Sequence, residues 1–281
     1  MKEIVVISGK GGTGKTSLTA AFSVIGGDNI VTADCDVDAA DMHLLLKPDF
    51  AEKEDFFSGL EAVIDTGICV RCGRCALACR FEAVMELRGL YSVLPLNCEG
   101  CGYCARVCPA SAITMAERLV GQWYRSVIRT GGTMVHASLG IGAENSGKLV
   151  AKVKKEAKKT AKEQDKTIVL VDGSPGIGCP VVSSLSGADF TIFVTEPTKS
   201  GLHDLERANQ LVKKFGIPSG CIINKADINP DITAQIKSLL NREGIIHIAD
   251  LPYNEAFTEA MVRGLTLAEW GPEAIRETIK K

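Results

Sequence analysis

The sequence predicts an α/β chain with a mostly parallel sheet, interrupted by a small inserted α+β domain rich in cysteine. Three observations predict it. β-branched runs alternate with helix-forming stretches through most of the 281 residues, the rhythm of βα units. A glycine-rich stretch, Gly9-Lys10-Gly11-Gly12-Thr13-Gly14-Lys15-Thr16, follows the first such run and opens a helix. Eight of the 11 cysteines fall in two copies of one spacing, C-x2-C-x2-C-x3-C.

The elements follow in order. Ile4-Val5-Val6-Ile7 is the first strand, and Asn29–Ala33 the second, ending at Asp34-Cys35-Asp36. Lys148–Lys166 reads as a helix, and Thr167–Val171 as a strand feeding Asp172-Gly173-Ser174-Pro175-Gly176. Phe190–Val194 is a strand, with a helix near Leu202–Phe215 and a strand at Gly220–Ile223. Asp231–Glu243 is helical, Ile245–Ala249 extended and Glu255–Arg263 helical. The cysteine block breaks this rhythm between Val63 and Met115, and α/β elements resume after it, so it is an insertion. The expected division is a first part of the α/β domain at 1–62, the insert at 63–115 and the second part at 116–281.

Composition excludes several classes. With 46% hydrophobic and 23% charged residues the chain is a folded, globular one. A net charge of −2 makes no electrostatic case for nucleic acid or anionic membranes. Neither a signal peptide nor a spanning apolar stretch is visible, which points to a reducing cytoplasm and no membrane anchor. The lysine-rich stretch Lys148–Lys166 reads as a solvated helix face, with docking of an acidic partner as the other reading.

Gly9 to Thr16 fit G-x-x-x-x-G-K-[ST] in the strand-before, helix-after context that the pattern requires. Glycines let backbone N–H groups curl around phosphates, and the helix start at Thr16 and Ser17 adds its dipole. Lys15 neutralises the β- and γ-phosphates, and the Thr16 hydroxyl is placed to ligate Mg²⁺.

The cysteine runs are Cys69, Cys72, Cys75, Cys79 and Cys98, Cys101, Cys104, Cys108. Bacterial ferredoxins use this spacing to hold two [4Fe-4S] clusters, with the fourth cysteine of each run ligating the other cluster. The resemblance implies one cluster on Cys69, Cys72, Cys75 and Cys108, and a second on Cys98, Cys101, Cys104 and Cys79. Zinc sites use paired C-x2-C with a longer gap and four ligands in total, and nothing here looks secreted, which disfavours disulfides. Pro109 follows the second run, but Arg80 stands after the first. Exposed clusters of this kind favour low-oxygen conditions.

Lys10, early in GKGGTGKT, resembles the deviant Walker A of the MinD/ParA superfamily. In that family the lysine reaches the partner subunit's nucleotide, so the resemblance implies an ATP-dependent homodimer, or a heterodimer with a paralogue. It also implies a deviant-Walker-A P-loop NTPase fold for the α/β part. By the same likeness Asp36 positions the attacking water and Asp34 supports the magnesium shell, with Asp38 and Asp41 as nearby competitors. Asp172 opens a segment like the family's second switch and holds a magnesium-bound water; Gly176 is free to swing toward the γ-phosphate. Asn224-Lys225-Ala226-Asp227 resembles a base-recognition loop, which assigns Asn224 to the base with Pro252 and Tyr253 as walls. Asp227 reads equally as a turn cap, and the preference for ATP over GTP rests on the resemblance. Val194 through Asp204 and Asn145-Ser146-Gly147-Lys148 are further family-like segments. Cys179 matches the offset of a cluster ligand in one family member, but Gly131–Gly147 supplies no second cysteine, so it reads as a packed thiol at a helix start. Cys35 and Cys221 read as small buried residues.

Three functions follow from the resemblance. The first is a slow ATP hydrolase that couples nucleotide state to low-potential electron transfer toward a protein partner. The second is a metallocofactor or iron–sulfur maturation and carrier ATPase. The third is a MinD-like spatial organiser with redox-sensing clusters, disfavoured because the tail from Pro272 carries only two large aliphatics. Amidation, a label attached to some relatives, is disfavoured because no glutamine amidotransferase domain is recognisable.

Overall fold

The structure is a computed structural model and describes residues 1–140, 142 and 146–280. β1 (Lys2–Ile7) is followed by α1 (Lys15–Gly26), β2 (Ile30–Asp34) and the short α2 (Met42–Leu46). β3 (Glu52–Ile64) leads into the cysteine-rich segment, with α3 (Arg74–Ala78), β4 (Val84–Leu87), β5 (Leu90–Val93) and α4 (Tyr103–Arg106). β6 (Ile113–Val127) leads back to β7 (Thr133–Leu139) and α5 (Ser146–Glu163). Then come β8 (Ile168–Asp172), α6 (Cys179–Leu185), β9 (Phe190–Thr195) and α7 (Lys199–Lys214). β10 (Ser219–Asn224), α8 (Pro230–Glu243), β11 (Ile246–Leu251), α9 (Ala256–Arg263) and α10 (Glu273–Lys280) complete the chain.

Nine of the strands form one sheet in the order β11-β10-β9-β1-β8-β2-β7-β6-β3, and β4 and β5 pair separately. From β11 to β7 all pairings are parallel. Their near-continuous apolar runs suit strands covered on both faces; Val5, Val6 and Ile7 are wholly buried. One core packs Val6, Leu170, Val194 and Ile222 of the sheet against Leu18 and Ala21 of α1. Ile275 and Ile279, the two aliphatics of the tail, lie one helical turn apart on α10 and join that core.

β1 lies between β8 and β9, so the chain must leave it in one direction and later return to its other side. Ligands of open α/β sheets bind at such a switch point, beyond the carboxyl ends of the strands. The register then fixes the neighbours: Asp172 at the end of β8 pairs with Val6 of β1 and with Asp34 of β2.

The chain divides into two compact units, Met1–Glu54 with Gln122–Leu139 and Ser146–Lys281, and Asp55–Gly121 with Gly140–Asn145. The second is wider than the expected 63–115 because the chain enters and leaves it along long strands. β3 begins Glu-Lys-Glu-Asp and is largely exposed, so it lacks the alternation by which a half-buried strand is recognised. β7 was also missed. α5 spans Ser146–Glu163 and not Lys148–Lys166, and it is more than a solvated face. Lys154 is buried, pairs with buried Glu3 at 2.8 Å and donates to the Ser183, Ser184 and Ser186 carbonyls. Lys158 takes the other Glu3 oxygen at 2.8 Å.

The second unit is internally duplicated. Cys98 lies 29 residues after Cys69, and the backbone repeats with that offset. Arg71 (φ 56) matches Gly100 (φ 66), Gly73 (φ 71) matches Gly102 (φ 72), and Glu82 (φ 52) matches Ser111 (φ 51). Left-handed residues are uncommon outside glycine, so this agreement marks two copies of one turn-and-helix unit. The β4–β5 hairpin turns at Arg88 and Gly89, both with positive φ, as a two-residue type I′ turn requires.

Candidate functional site

The glycine-rich loop joins β1 to α1 and is shaped by its glycines. Gly12 (φ 79) and Gly14 (φ 90) are left-handed, and Gly14 is the residue from which α1 begins. A side chain at Gly9 would stand 2.7 Å from the Asp204 carbonyl carbon, so the loop can pass α7 only there as glycine. The loop borders a cavity of about 460 Å³ with Gly11, Gly12, Gly14, Lys15, Thr16 and Ser17 on its wall. Gly9, Lys10 and Thr13 lie outside that wall.

Lys15 is the hub of the buried charges. Its Nζ lies 2.9 Å from Asp172 Oδ2 and 3.5 Å from Asp36 Oδ2. Burial pushes the Lys15 ammonium down, but Asp172, Asp36 and Asp34 outweigh it and its pKa is raised. Asp172 also accepts from the Thr16 hydroxyl at 2.8 Å and the Thr19 hydroxyl at 2.9 Å. Thr19, one turn on from Thr16 along α1, was not singled out in the sequence; only the helical spacing signals it.

Asp34 is buried, and its Oδ1 accepts from the Asp36 amide at 3.1 Å. Its Oδ2 has no hydrogen-bond partner among the described residues. Burial, and then Asp172 beside it, raise the Asp34 pKa well above the usual carboxylate range. Burial likewise raises Asp36, against the pull of Lys15. Two raised carboxyls and an orphaned carboxylate oxygen are what a site for a hard, oxygen-preferring cation leaves when it is described by its protein atoms alone. Asp36 and Asp41 line the cavity and Asp38 does not.

The Asp34 arrangement makes a prediction about the protein without nucleotide. A carboxyl whose folded pKa is raised costs nothing below the ordinary carboxylate range, and its full cost is felt above the raised pKa. Stability should therefore fall as pH rises through that window. Asp34→Asn should reduce the dependence, leaving the part that Asp36 contributes, and stabilise the nucleotide-free protein at neutral pH by about 1 kcal/mol, a rise of about 2–4 °C in Tm. Thermal unfolding of both proteins from mildly acidic to neutral pH checks this; a lower Tm for the variant at neutral pH contradicts it.

Tyr253, Asn254, Phe257, Thr258 and Met261 also line the cavity. Tyr253 is there as expected, but Pro252 is not part of the lining. Asn224 is also on the cavity wall, and it has a structural part besides. Its Nδ2 donates to the Thr13 carbonyl at 2.9 Å and its Oδ1 accepts from the Lys225 amide at 3.0 Å, with the residue 1% exposed. Both ends of the amide are engaged inside the protein, where they tie the glycine loop to the end of β10. Asp227 Oδ1 accepts from the Tyr253 amide at 2.6 Å, the turn-cap role.

Lys10 is held within its own chain, by Glu196 Oε1 at 2.6 Å, Ser200 Oγ at 3.1 Å and Thr198 Oγ1 at 3.3 Å. Glu196 also holds Lys225 at 2.8 Å, and Lys225 in turn donates to the Gly12 carbonyl at 3.3 Å. Burial pushes the Glu196 carboxyl up, and the two lysines outweigh it and hold it below its usual range. Glu196 lies in the family-like segment after β9, but only the fold shows that it joins the two loops. Ser174 donates to the Cys35 carbonyl at 2.9 Å and the Gly176 amide to the Ser8 carbonyl at 2.9 Å, which fixes the segment after β8. Cys179 starts α6 as expected but is exposed, not packed. Asn145 lies outside the described residues.

In the second unit the thiols surround two cavities. Cys69, Cys72, Cys75 and Cys108 line one, and Cys79, Cys98, Cys101 and Cys104 line the other. The fourth cysteine of each run has crossed to the other set. The crossing sulfurs are held alike: Cys79 Sγ accepts from the Ala83 amide and Cys108 Sγ from the Ala112 amide, each at 3.3 Å. Among the described residues no three His, Cys, Asp or Glu side chains converge closely enough to hold a single metal ion. Four thiols arranged around a space, and not upon a point, suit a polynuclear cluster better than zinc. No described helix is long and apolar enough to cross a membrane.

Comparison with known proteins agrees with this geometry. The family model described as the CobQ/CobB/MinD/ParA nucleotide binding domain matches residues 4–267. The uncharacterised protein MJ0578 of Methanocaldococcus jannaschii is 33% identical over 232 residues, 81% of this chain and 79% of that protein. A ferredoxin of Pyrobaculum islandicum is 33% identical over 70 residues, 22% of this chain and 65% of the ferredoxin. Among solved structures, the septum site-determining protein MinD of Pyrococcus horikoshii, complexed with Mg-ADP, superimposes with a TM-score of 0.57. It is 20% identical, and the match covers 99% of this chain and 93% of that one.

Proposed function

This chain belongs to the CobQ/CobB/MinD/ParA nucleotide-binding family, and we propose that it is an ATP-hydrolysing iron–sulfur protein. In this reading nucleotide state is coupled to low-potential electron transfer toward a protein partner. The observation that carries it is the pair of thiol-lined cavities in the same chain as a nucleotide crevice.

The glycine-loop amides and Lys15 would bind the phosphates, and Thr16 would hold Mg²⁺, with Asp172 on a magnesium-bound water and Asp34 supporting the shell. The ion supplies neutralisation of charge on the transferred phosphoryl group. Asp36, on the cavity wall, orients the attacking water. Tyr253, Phe257 and Met261 cover the base. Adenine over guanine rests on the family resemblance, with one oxygen of Asp227 already engaged by the Tyr253 amide. Lys10 leaves Glu196 to reach a second copy, or a paralogue, when ATP closes the dimer. The two clusters sit on the crossed cysteine sets.

The two strands that carry the chain into and out of the cysteine-rich unit are β3 and β6. β3 follows the Asp36 loop in sequence, and β6 returns ahead of β8 and Asp172. A nucleotide-driven change in either loop therefore acts on the tethers of that unit. A coupling of about 1 kcal/mol is roughly 40 mV in a one-electron potential, and it is reciprocal for binding. Redox titration of the anaerobic protein with and without Mg-ATP should show such a shift, and reduction should change ATP affinity by the matching factor. Equal potentials in both states would leave a passive tether and sink the coupled reductase.

A maturation or carrier ATPase is the second reading, favoured by the width of the cavity on Cys79, Cys98, Cys101 and Cys104, about 460 Å³. Complete thiolate ligation counts against release. Passage of a cluster from the loaded protein to a cluster-free acceptor would favour the carrier role.

A further inference from the structure

The two thiol cavities are copies of one design, yet they are not equivalent. With the 29-residue offset of Cys69 to Cys98, most wall positions repeat in kind. Ile64 of the first cavity answers to Val93 of the second, and Ile113 to Val84. One position breaks the pattern in size: Tyr91 stands on the wall of the first cavity where the second has Ala62. The Tyr91 hydroxyl lies 2.8 Å from where a Cβ on Gly73 would be, so the ring covers that glycine, and its hydroxyl donates to Glu86 at 3.2 Å. At Gly102, the equivalent of Gly73, the nearest atoms belong to Met115 at 3.9 Å. The cavities differ in volume as well, about 10 Å³ for the one under Tyr91 and about 460 Å³ for the other, whose wall also runs on to Ala78, Arg80, Phe81 and Gly100.

Building on the iron–sulfur reading, we propose that the two sites load in a fixed order set by Tyr91. The cluster on Cys79, Cys98, Cys101 and Cys104 enters first, into space that already exists. The cluster on Cys69, Cys72, Cys75 and Cys108 enters second, after the Tyr91 ring has moved off Gly73, and the ring then closes over it. Ala62 leaves the first-loaded site without such a cover. Loading from a preformed thiolate-ligated [4Fe-4S] donor is ligand exchange. At each iron a bond to a cysteine sulfur forms as a bond to a donor thiolate breaks, the cysteine proton leaves on the departing thiol, and no electron is transferred.

The test uses the full chain without clusters, under anaerobic conditions, and a synthetic [4Fe-4S] cluster ligated by a small thiol. Uptake is followed by absorbance and by iron content of the desalted protein. Two phases of equal amplitude are expected. Cys101→Ser should abolish the fast phase and Cys72→Ser the slow one. Tyr91→Ala should accelerate the slow phase about tenfold, about 1.4 kcal/mol of barrier, while Tyr91→Phe, which keeps the ring, should leave it slow. Ala62→Tyr should slow the fast phase, which keeps the idea testable if Tyr91→Ala folds poorly. Uptake of both clusters at one rate, or a slow phase indifferent to Tyr91→Ala, overturns the loading order and leaves the iron–sulfur reading standing. A chain that takes up no cluster overturns both.

Discussion

Replacement of Lys15 by alanine is expected to weaken nucleotide binding by about a hundredfold or more, since charge-assisted bonds of this type contribute about 1.5–3 kcal/mol each. The same change leaves Asp172, Asp36 and Asp34 together without the cation that lies 2.9 Å and 3.5 Å from the first two. Removing one partner from a buried charge cluster costs about 3–5 kcal/mol, so the variant should also unfold earlier without ligand. The two effects are separable. Adding Asp34→Asn restores the charge count and should recover most of the stability, yet it adds no phosphate ligand and should not recover binding. Asp36→Ala is the contrast, with ATP bound near wild-type strength and turnover lowered about a hundredfold through loss of the oriented water. Calorimetric titration with Mg-ATP, on samples whose fold is verified by circular dichroism, decides the first point. Wild-type affinity in Lys15→Ala would remove the phosphate role from the loop, and equal turnover in Asp36→Ala would move the water to Asp41.

What could be read from the residues was whatever depends on local order. The glycine loop, Lys15 and Thr16 are contiguous, and their conformation follows from where glycine allows positive φ. Asp34 and Asp172 were legible as strand ends, and the parallel register then sets them side by side. The lysine-rich helix does present exposed lysines, but its buried Lys154 could not be read, because its partner, Glu3, is remote in sequence and sits in a strand that reads as apolar. The structural part of Asn224 was hidden for a similar reason. Its loop pattern suggests a ligand contact, while the Thr13 carbonyl that engages it is 211 positions away. Glu196 needed the fold altogether, since it joins Lys10 of the first loop to Lys225 of a later one. β3 was invisible because both of its faces carry polar residues. Nothing in its pattern separates it from a loop until the sheet is assembled.

The crossed cysteine arrangement gives the last expectation its form. Cys79 is closest in sequence to Cys75, yet its sulfur faces Cys98, Cys101 and Cys104 across the wider cavity. The chain reverses after each short helix, α3 and α4, and an amide four residues on, from Ala83 or Ala112, fixes the reversed sulfur. Cys79→Ser should therefore cost the cluster of the second run, not of its own, and lower iron from about eight to about four per chain. Cys108→Ser should do the reverse and leave the second-run cluster in place. Iron counts on the single variants cannot tell crossed from uncrossed ligation, because both predict a loss of half, but double variants can. With crossed sets, Cys79→Ser and Cys101→Ser strike the same site and together still leave about four irons. Cys79→Ser and Cys72→Ser strike different sites and together leave none. Uncrossed ligation exchanges these two results. Iron analysis of the two double variants after anaerobic reconstitution therefore reads the connectivity directly.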